Sequence, residues 1–215
     1  GQPADTLSLK DRGLAYGDGL FETIAVKAGR PLLLERHLQR LADGCQRLAI
    51  AADHALVRRE LLAYAGALGD GVLKLILTRG DSQRGYAADP AAAPRRILQG
   101  NPPAAYPPVH AEQGVRLFPC TTRLSTQPLL AGLKHLNRLE QVLARAEWQG
   151  SDCAEGLMLD LDGRVIEGVF SNLFMVRDGV LITADLRRCG VAGVLRGELL
   201  SQADALEIPT EITDI

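Results

Sequence analysis

A proline-rich segment divides the sequence, and this division limits the folds that the chain can adopt. Residues 101–108 read Asn-Pro-Pro-Ala-Ala-Tyr-Pro-Pro, and four prolines in eight residues exclude a helix or an interior strand. We therefore predict a linker here, between an N-terminal domain over residues 1–104 and a C-terminal domain over residues 105–215. A chain of 215 residues is long enough for two small domains that each bury a core.

Both domains mix helices and strands, which predicts an α+β fold. Short apolar or alternating runs predict strands, and apolar residues three to four apart predict helices. Asp-Gly pairs predict hairpin turns at 162–163 and 178–179. The strand over 71–79 is nearly all apolar, so we expect it to be buried on both faces. The predicted strands lie at 20–26, 31–34, 71–79, 95–99, 115–120, 156–160, 164–167, 172–176 and 180–183, and the predicted helices at 35–50, 53–68, 134–149 and 194–206.

The composition narrows the class of function. A net charge of −2 gives no electrostatic reason to bind nucleic acid or a membrane surface. No apolar run approaches the ~20 residues of a membrane-spanning helix, and no signal peptide is visible. The cysteines form no CxxC pair, and the histidines show no metal-binding spacing. We therefore expect a cytoplasmic protein with free thiols and no metal.

One lysine is unusual in this sequence. Lys134 is one of only four lysines, against twenty arginines, and it lies between leucines where the predicted helix begins. An apolar setting lowers the pKa of an amine and favours its attack on a carbonyl group. A lysine that extends from a helix end into solvent is the simpler interpretation of this segment alone. The periodicity predicts that Leu136, Leu139 and Leu143 are buried and fix Lys134 at a cleft.

Three further segments carry chemistry that fits with an amine nucleophile. Glu167 ends a predicted strand, and a buried carboxylate there would keep a ring nitrogen protonated. The turn at 190–193 opens a helix whose N–H groups suit an anion. Arg40 follows His37 on one helix face and could bind a phosphate. A solvated carboxylate, a glycine turn and a surface arginine are the plain alternatives, but together with Lys134 these are the parts of a pyridoxal 5′-phosphate (PLP) site.

The order of these motifs resembles the fold-type IV PLP enzymes, whose fold is that of the class IV aminotransferases. The matching segments are Tyr16–Thr23, His37–Leu41, Thr78–Gly80, Lys134–Asn137, Glu167–Asn172 and Gly190-Val191. The resemblance implies a two-domain fold and a homodimer. Chains of this family usually continue further, and residues 207–215 are predicted to be a strand in progress, so this chain looks truncated at its C-terminus.

The resemblance also implies the residues that hold the cofactor. Lys134 would attach PLP covalently, and Glu167 would bond its pyridine nitrogen. Arg40 would hold the phosphate together with two backbone N–H groups. Those N–H groups would be the ones of Val191 and Ala192, and Ser171 and Asn172 would support the ring and the strand of Glu167.

Within the family, the chain looks most similar to the 4-amino-4-deoxychorismate lyases. The segment Leu133–Leu143, the loop from Arg79 through Arg84 to Tyr86, and Thr23 carry this similarity. It implies a PLP-dependent carbon–oxygen lyase that eliminates pyruvate and gives 4-aminobenzoate for folate biosynthesis. Thr23 would donate a proton, Phe21 would lie on the substrate side, and Arg79, Arg84 and Tyr86 would contact substrate carboxylates.

Two other functions stay open from the sequence. The same scaffold would serve an aminotransferase for D-amino acids or branched-chain amino acids. A binding protein without catalysis, in which Lys134 is structural, is the alternative from another class.

Overall fold

The computed structural model describes residues 2–150, 152–203, 205–208 and 210–211. The chain forms two compact units. Unit 1 comprises residues 1–105 and 134–137, and unit 2 comprises residues 106–133 and 138–215. The short segment that carries Lys134 therefore belongs to the same unit as the N-terminal residues.

Unit 1 is built on an antiparallel sheet of four strands in the order β2-β1-β3-β4. The strands are β1 (Gly19–Lys27), β2 (Arg30–Pro31), β3 (Gly71–Thr78) and β4 (Arg95–Asn101). A short helix, α1 (Arg12–Tyr16), precedes β1, and two longer helices, α2 (Leu34–Leu48) and α3 (His54–Leu68), connect β2 to β3. Asp11 and Asp53 cap the N-termini of α1 and α3 with their side chains.

The sheet of unit 1 is buried on one face only. In β3, Leu73, Leu75 and Leu77 are buried, whereas the residues between them are half-buried. The prediction that this strand is buried on both faces is therefore wrong. An antiparallel sheet needs an apolar cover on only one side, and α2 and α3 pack against the strands of this sheet.

Unit 2 contains two sheets. One has the order β11-β7-β6-β5, in which β5 and β6 are parallel, and the other has the order β10-β9-β8. The strands are β5 (Leu117–Leu124), β6 (Glu155–Asp160), β7 (Arg164–Gly168), β8 (Phe174–Arg177), β9 (Val180–Ala184), β10 (Ala205–Ile208) and β11 (Thr210–Glu211), and the helices are α4 (Val109–Gln113), α5 (Leu139–Ala146) and α6 (Val194–Gln202). The main core cluster packs Met158 and Ile166 of the larger sheet with Ala144 of α5 and Trp148.

The α+β class and both Asp-Gly hairpins are confirmed, because β6 pairs with β7 and β8 pairs with β9. The short helices α1 and α4 were not predicted, since five residues carry too little periodicity to recognise. The strand predicted over 207–215 corresponds in part to β10 and β11, and residues 212–215 lie outside the described residues.

The helix predicted to begin near Lys134 begins at Leu139 instead. The preceding residues pair with β1, where the N–H of Phe21 donates to the carbonyl of Lys134 at 2.9 Å. The N–H of Leu136 donates to the carbonyl of Gly19 at 3.0 Å. Backbone groups that form a strand pair cannot also form a helix, so the tertiary contact overrides the local periodicity.

The predicted buried face of this helix is also wrong. Leu139 and Leu143 are 75% and 59% exposed. The small side chain of Ala144 and the amide of Gln141 are buried instead. Because Ala144 packs into the core of unit 2, the leucines lie on the opposite side of α5.

The cysteines are free, and burial raises the pKa of the Cys45 thiol to about 11, which keeps it protonated at neutral pH. Within the part of the chain that the structure describes, no group of three potential metal ligands occurs. None of the described helices has the length and apolar character needed to cross a membrane.

Candidate active site

Lys134 lies beside strand β1 of unit 1. Leu20 and His135 form an antiparallel bridge, so Phe21 and Lys134 are neighbours across the pair. The Lys134 amine lies 4.6 Å from the centre of the Phe21 ring. The ring face is apolar and carries negative charge density, which holds the amine on this side of the strand.

Thr23 shares this face of β1, because side chains two residues apart in a strand point the same way. Thr23 pairs directly with Lys74 on β3, and the Lys74 amine lies 5.4 Å from the centre of the Phe21 ring. Three of the predicted site residues, Phe21, Thr23 and Lys134, therefore lie on the same side of β1 within unit 1. Lys74 was missed by the sequence reasoning, although a single charged residue in an apolar strand is a recognisable pattern.

Arg40 lies on α2, where it binds Glu22 of β1. Its Nε donates to Glu22 Oε1 at 2.9 Å, and its Nη2 donates to Oε2 at 2.5 Å. Nδ1 of His37 lies 2.6 Å from the same Oε2. Burial acts to raise the pKa of the Glu22 carboxyl, but the hydrogen bonds from His37 and Arg40 outweigh it and hold the pKa below its usual range.

Glu167 is a buried carboxylate of unit 2, with 3% of its surface exposed. The N–H of Val191 donates to its Oε2 at 2.8 Å, and the Nε2 of Gln141 lies 3.4 Å from its Oε1. Burial lowers the pKa of Arg138, and the charge of Glu167 acts in the opposite direction, so a cation also lies near this carboxylate. Gln141 was missed because the predicted register of its helix placed leucines on the buried face.

The turn before α6 uses its N–H groups inside unit 2. Val191 donates to Glu167, and the N–H of Ala192 donates to the carbonyl of Gly132 at 3.0 Å. The N–H of Gly193 donates to Asn172 Oδ1 at 3.0 Å, and the Asn172 amide donates to the carbonyl of Val191 at 2.9 Å. Asn172 therefore fixes this turn, and its predicted role beside the cofactor ring stays a prediction.

No side chain caps the N-terminus of α6. The first N–H groups of a helix have no partner within the helix, and they point along its axis. These groups belong to Val194 and Leu195, which follow the turn that the sequence analysis selected. The N–H groups at this helix start therefore suit an anion, whereas those of Val191 and Ala192 already donate to Glu167 and to the carbonyl of Gly132.

Ser171 helps to hold in place the backbone that follows Glu167. Its hydroxyl donates to Glu155 Oε2 at 2.7 Å, and the same carboxylate accepts the N–H of Val169 through Oε1 at 3.0 Å. The N–H of Gly168 donates to the carbonyl of Ser171 at 2.8 Å. The pair of Ser171 and Glu155 thus holds the turn that follows β7.

The predicted substrate residues occupy a loop of unit 1. Arg79 donates two hydrogen bonds to Asp18, at 2.8 and 3.0 Å, and two more to the carbonyls of Leu48 and Ala49 at the end of α2. Arg84 and Tyr86 are exposed, and the Tyr86 ring lies 5.4 Å from that of Tyr16. Arg79 therefore fixes the chain around it, while the other two side chains face solvent.

Arg12 holds this loop in place. Its guanidinium is buried and donates to the carbonyls of Gly85 and Tyr86 at 3.0 and 2.9 Å, and to Asp18 at 2.7 Å. We expect Arg12→Ala to lower the free energy of unfolding by about 3 kcal/mol, because it removes a buried guanidinium and leaves several partly buried acceptors without a donor. Urea unfolding measures this loss. Arg84→Ala, at an exposed arginine of the same loop, is the control, and equal losses in both variants would contradict the structural role of Arg12.

Comparison with known proteins identifies the class. Residues 19–215 match the family Amino-transferase class IV, so the chain belongs to this family, which is PLP-dependent. The family resemblance inferred from the sequence is confirmed.

Of three relatives in the family, the two with the higher sequence identity to this chain are lyases. The crystal structure of 4-amino-4-deoxychorismate lyase from Pseudomonas aeruginosa is 63% identical, with a TM-score of 0.97 over 99% of this chain and 81% of that chain. Aminodeoxychorismate lyase from Vibrio harveyi is 34% identical over 215 residues, which are 100% of this chain and 79% of that protein. A hypothetical aminotransferase from Mycobacterium tuberculosis, in its PLP-bound form, is 25% identical, with a TM-score of 0.77 over 99% of this chain and 79% of that chain.

Proposed function

We propose that this protein is a PLP-dependent 4-amino-4-deoxychorismate lyase, which releases pyruvate and leaves 4-aminobenzoate. The observation that carries the proposal is the placement of Lys134 beside Phe21, on the same face of β1 as Thr23. The 63% identity to a solved lyase supports this choice over an aminotransferase.

The side chains present fit PLP. Lys134 carries an amine, Arg40 a guanidinium and Glu167 a buried carboxylate. We propose that Lys134 attaches the cofactor, that Glu167 holds the proton on the pyridine nitrogen, and that Arg40 binds the phosphate. For the backbone donors to the phosphate, the helix start at Val194 and Leu195 is better supported than Val191 and Ala192, whose N–H groups already have acceptors.

Proton transfer falls to two side chains in this proposal. PLP, when bound, supplies the electron-withdrawing ring that lets the substrate carbon lose its proton. The Lys134 amine takes that proton from C4, so it must be neutral when it acts. The bond from C3 to the enolpyruvyl oxygen breaks, and the Thr23 hydroxyl donates a proton to the departing enolpyruvyl group and regains one from the protonated Lys134 amine. The products are pyruvate and an aromatic ring, whose formation drives the reaction.

Substitution of Thr23 tests whether its hydroxyl takes part in catalysis or whether strand β1 is only structural. We expect Thr23→Val to lower the rate of pyruvate release by about 10²-fold, because a general acid contributes on that order. Thr23→Ser should retain most of the rate, and the visible absorbance of bound PLP should be unchanged in both variants. Lactate dehydrogenase and NADH measure the pyruvate. A valine variant with the rate of the wild type would remove Thr23 from the mechanism.

The alternative proposal is an aminotransferase, which the similarity to the Mycobacterium tuberculosis protein favours. Incubation with D-alanine or a branched-chain amino acid and 2-oxoglutarate tests it. Glutamate formation faster than pyruvate release from aminodeoxychorismate would favour this alternative. We also propose a homodimer and a cytoplasmic location from the family resemblance, and sedimentation equilibrium would measure the mass in solution.

A further inference from the structure

Glu22, His37 and Arg40 form a buried group that the proposed reaction steps do not use directly. The Glu22 carboxylate is 2% exposed, and it lies between Phe21 and Thr23 in the sequence of β1. Its two partners lie one turn apart on α2. One strand segment therefore carries residues for two tasks: Phe21 and Thr23 on one face, and the partner of Arg40 on the other.

The contact between Glu22 and Arg40 fixes the orientation of the guanidinium. Both hydrogen bonds use the edge formed by Nε and Nη2, so the plane of the guanidinium is aligned with the carboxylate. Nη1 then points away from Glu22 because the group is trigonal. His37 contacts Oε2 from the same helix and limits rotation of the carboxylate.

Stability alone gives a weak reason for such a group. Removing a carboxylate and a guanidinium from water costs free energy that their attraction often fails to recover. Orientation in advance does raise affinity for a ligand, because the side chain loses no further freedom when the ligand binds. A planar guanidinium held at one angle suits an oxyanion such as phosphate.

We propose that Glu22, supported by His37, is a positioning residue that orients Arg40 toward the phosphate of PLP. This inference rests on the proposed function, since it needs PLP as the ligand. It makes Glu22 responsible for the part of PLP affinity that comes from the phosphate. The aldehyde and the ring should be bound independently of it.

The test compares PLP with pyridoxal, which has the same ring and aldehyde but no phosphate. Dissociation constants are measured by absorbance titration of protein freed of cofactor. We expect Glu22→Gln to raise the Kd for PLP about 10-fold, a change of about 1.4 kcal/mol, and to change the Kd for pyridoxal by less than about twofold. Glu35→Gln is the matched control, because Glu35 lies on the same helix as Arg40, in an exposed ion pair with Arg58. It should change neither constant.

A double-mutant cycle shows whether Glu22 acts through Arg40. In an Arg40→Gln background, Glu22→Gln should have little further effect on PLP binding. Glu22→Asp keeps the charge but shortens the side chain, so it provides a second variant if the glutamine variant fails to fold. We expect it to raise the Kd for PLP severalfold, again without changing that for pyridoxal.

Two results would overturn the inference alone. One is an equal change in the constants for PLP and pyridoxal, and the other is full additivity of the two substitutions. If the wild-type protein binds PLP with visible absorbance but Glu22→Gln binds it equally well, the proposed function stands and the positioning role fails. If the wild-type protein acquires no visible absorbance with PLP, the proposed function fails and the inference fails with it.

Discussion

Lys134→Ala should abolish the visible absorbance of bound PLP and reduce pyruvate release by at least about 10³-fold. The structure gives the physical reason. The backbone of Lys134 is fixed by a hydrogen bond from Phe21 at 2.9 Å, and its amine is held 4.6 Å from the ring of that residue. In the proposed mechanism this amine both attaches the cofactor and accepts the substrate proton, so its removal should stop both steps.

Lys74→Ala is the matched control for this experiment. Its amine lies 5.4 Å from the same ring, so it tests whether any amine on this face of β1 can serve. We expect this variant to keep the visible absorbance. Reduction with borohydride followed by peptide mass spectrometry would locate the attached cofactor directly. Visible absorbance that survives in Lys134→Ala and disappears in Lys74→Ala would reverse the assignment.

The segment around Lys134 shows what local sequence patterns can and cannot predict. Rarity and apolar neighbours made Lys134 unusual, but it became the candidate lysine only together with Arg40, Glu167 and the turn at 190–193. The predicted start of the helix was wrong because Leu20 and His135 form a bridge across more than a hundred residues of sequence. A helical period measures local spacing and contains no information about such a partner.

The same limit explains why the sequence pattern selected Arg40 as a candidate and did not select Glu22. Arg40 lies on a periodic helix next to a histidine, and this pattern is visible locally. Glu22 is a charged residue on the buried face of β1, where Leu20 and Ile24 point the same way. A charged residue on a strand face whose other residues are apolar indicates a buried partner. The identity of that partner, however, depends on how α2 packs against β1.

The sequence correctly predicted a turn before α6, but only the structure shows which acceptors the N–H groups of this turn bind. From the sequence, every N–H group between 190 and 193 is equally available to an anion. In the structure, Val191 donates to Glu167, and Gly193 donates to Asn172. These contacts connect β7 to the helix start, and so the turn orients the carboxylate that is proposed to bond the pyridine nitrogen.

Glu167→Gln should lower kcat for pyruvate release by about 10²-fold while the protein still binds PLP. Glutamine has nearly the same shape as glutamate. Its amide oxygen can accept the N–H of Val191, and its NH2 group can donate to Gln141 once the Gln141 amide turns to present its oxygen. It carries no negative charge, however, so it cannot stabilise a proton on the ring nitrogen. The absorbance spectrum should shift with the loss of ring protonation, whereas Lys134 should still attach the cofactor.

Asp160→Asn separates this effect from a general loss of structure. Asp160 is 1% exposed in the neighbouring strand β6, and its Oδ1 accepts the N–H groups of Asp162 and Arg164 at 2.9 Å. Its substitution should reduce the free energy of unfolding but leave kcat within about threefold of the wild type, because no proposed step uses it. A similar fall in kcat for both variants would attribute the Glu167 effect to folding. A Glu167→Gln protein with the kcat and spectrum of the wild type would show that another group holds the ring nitrogen. Arg138 cannot be that group, because a positive charge opposes protonation of the ring.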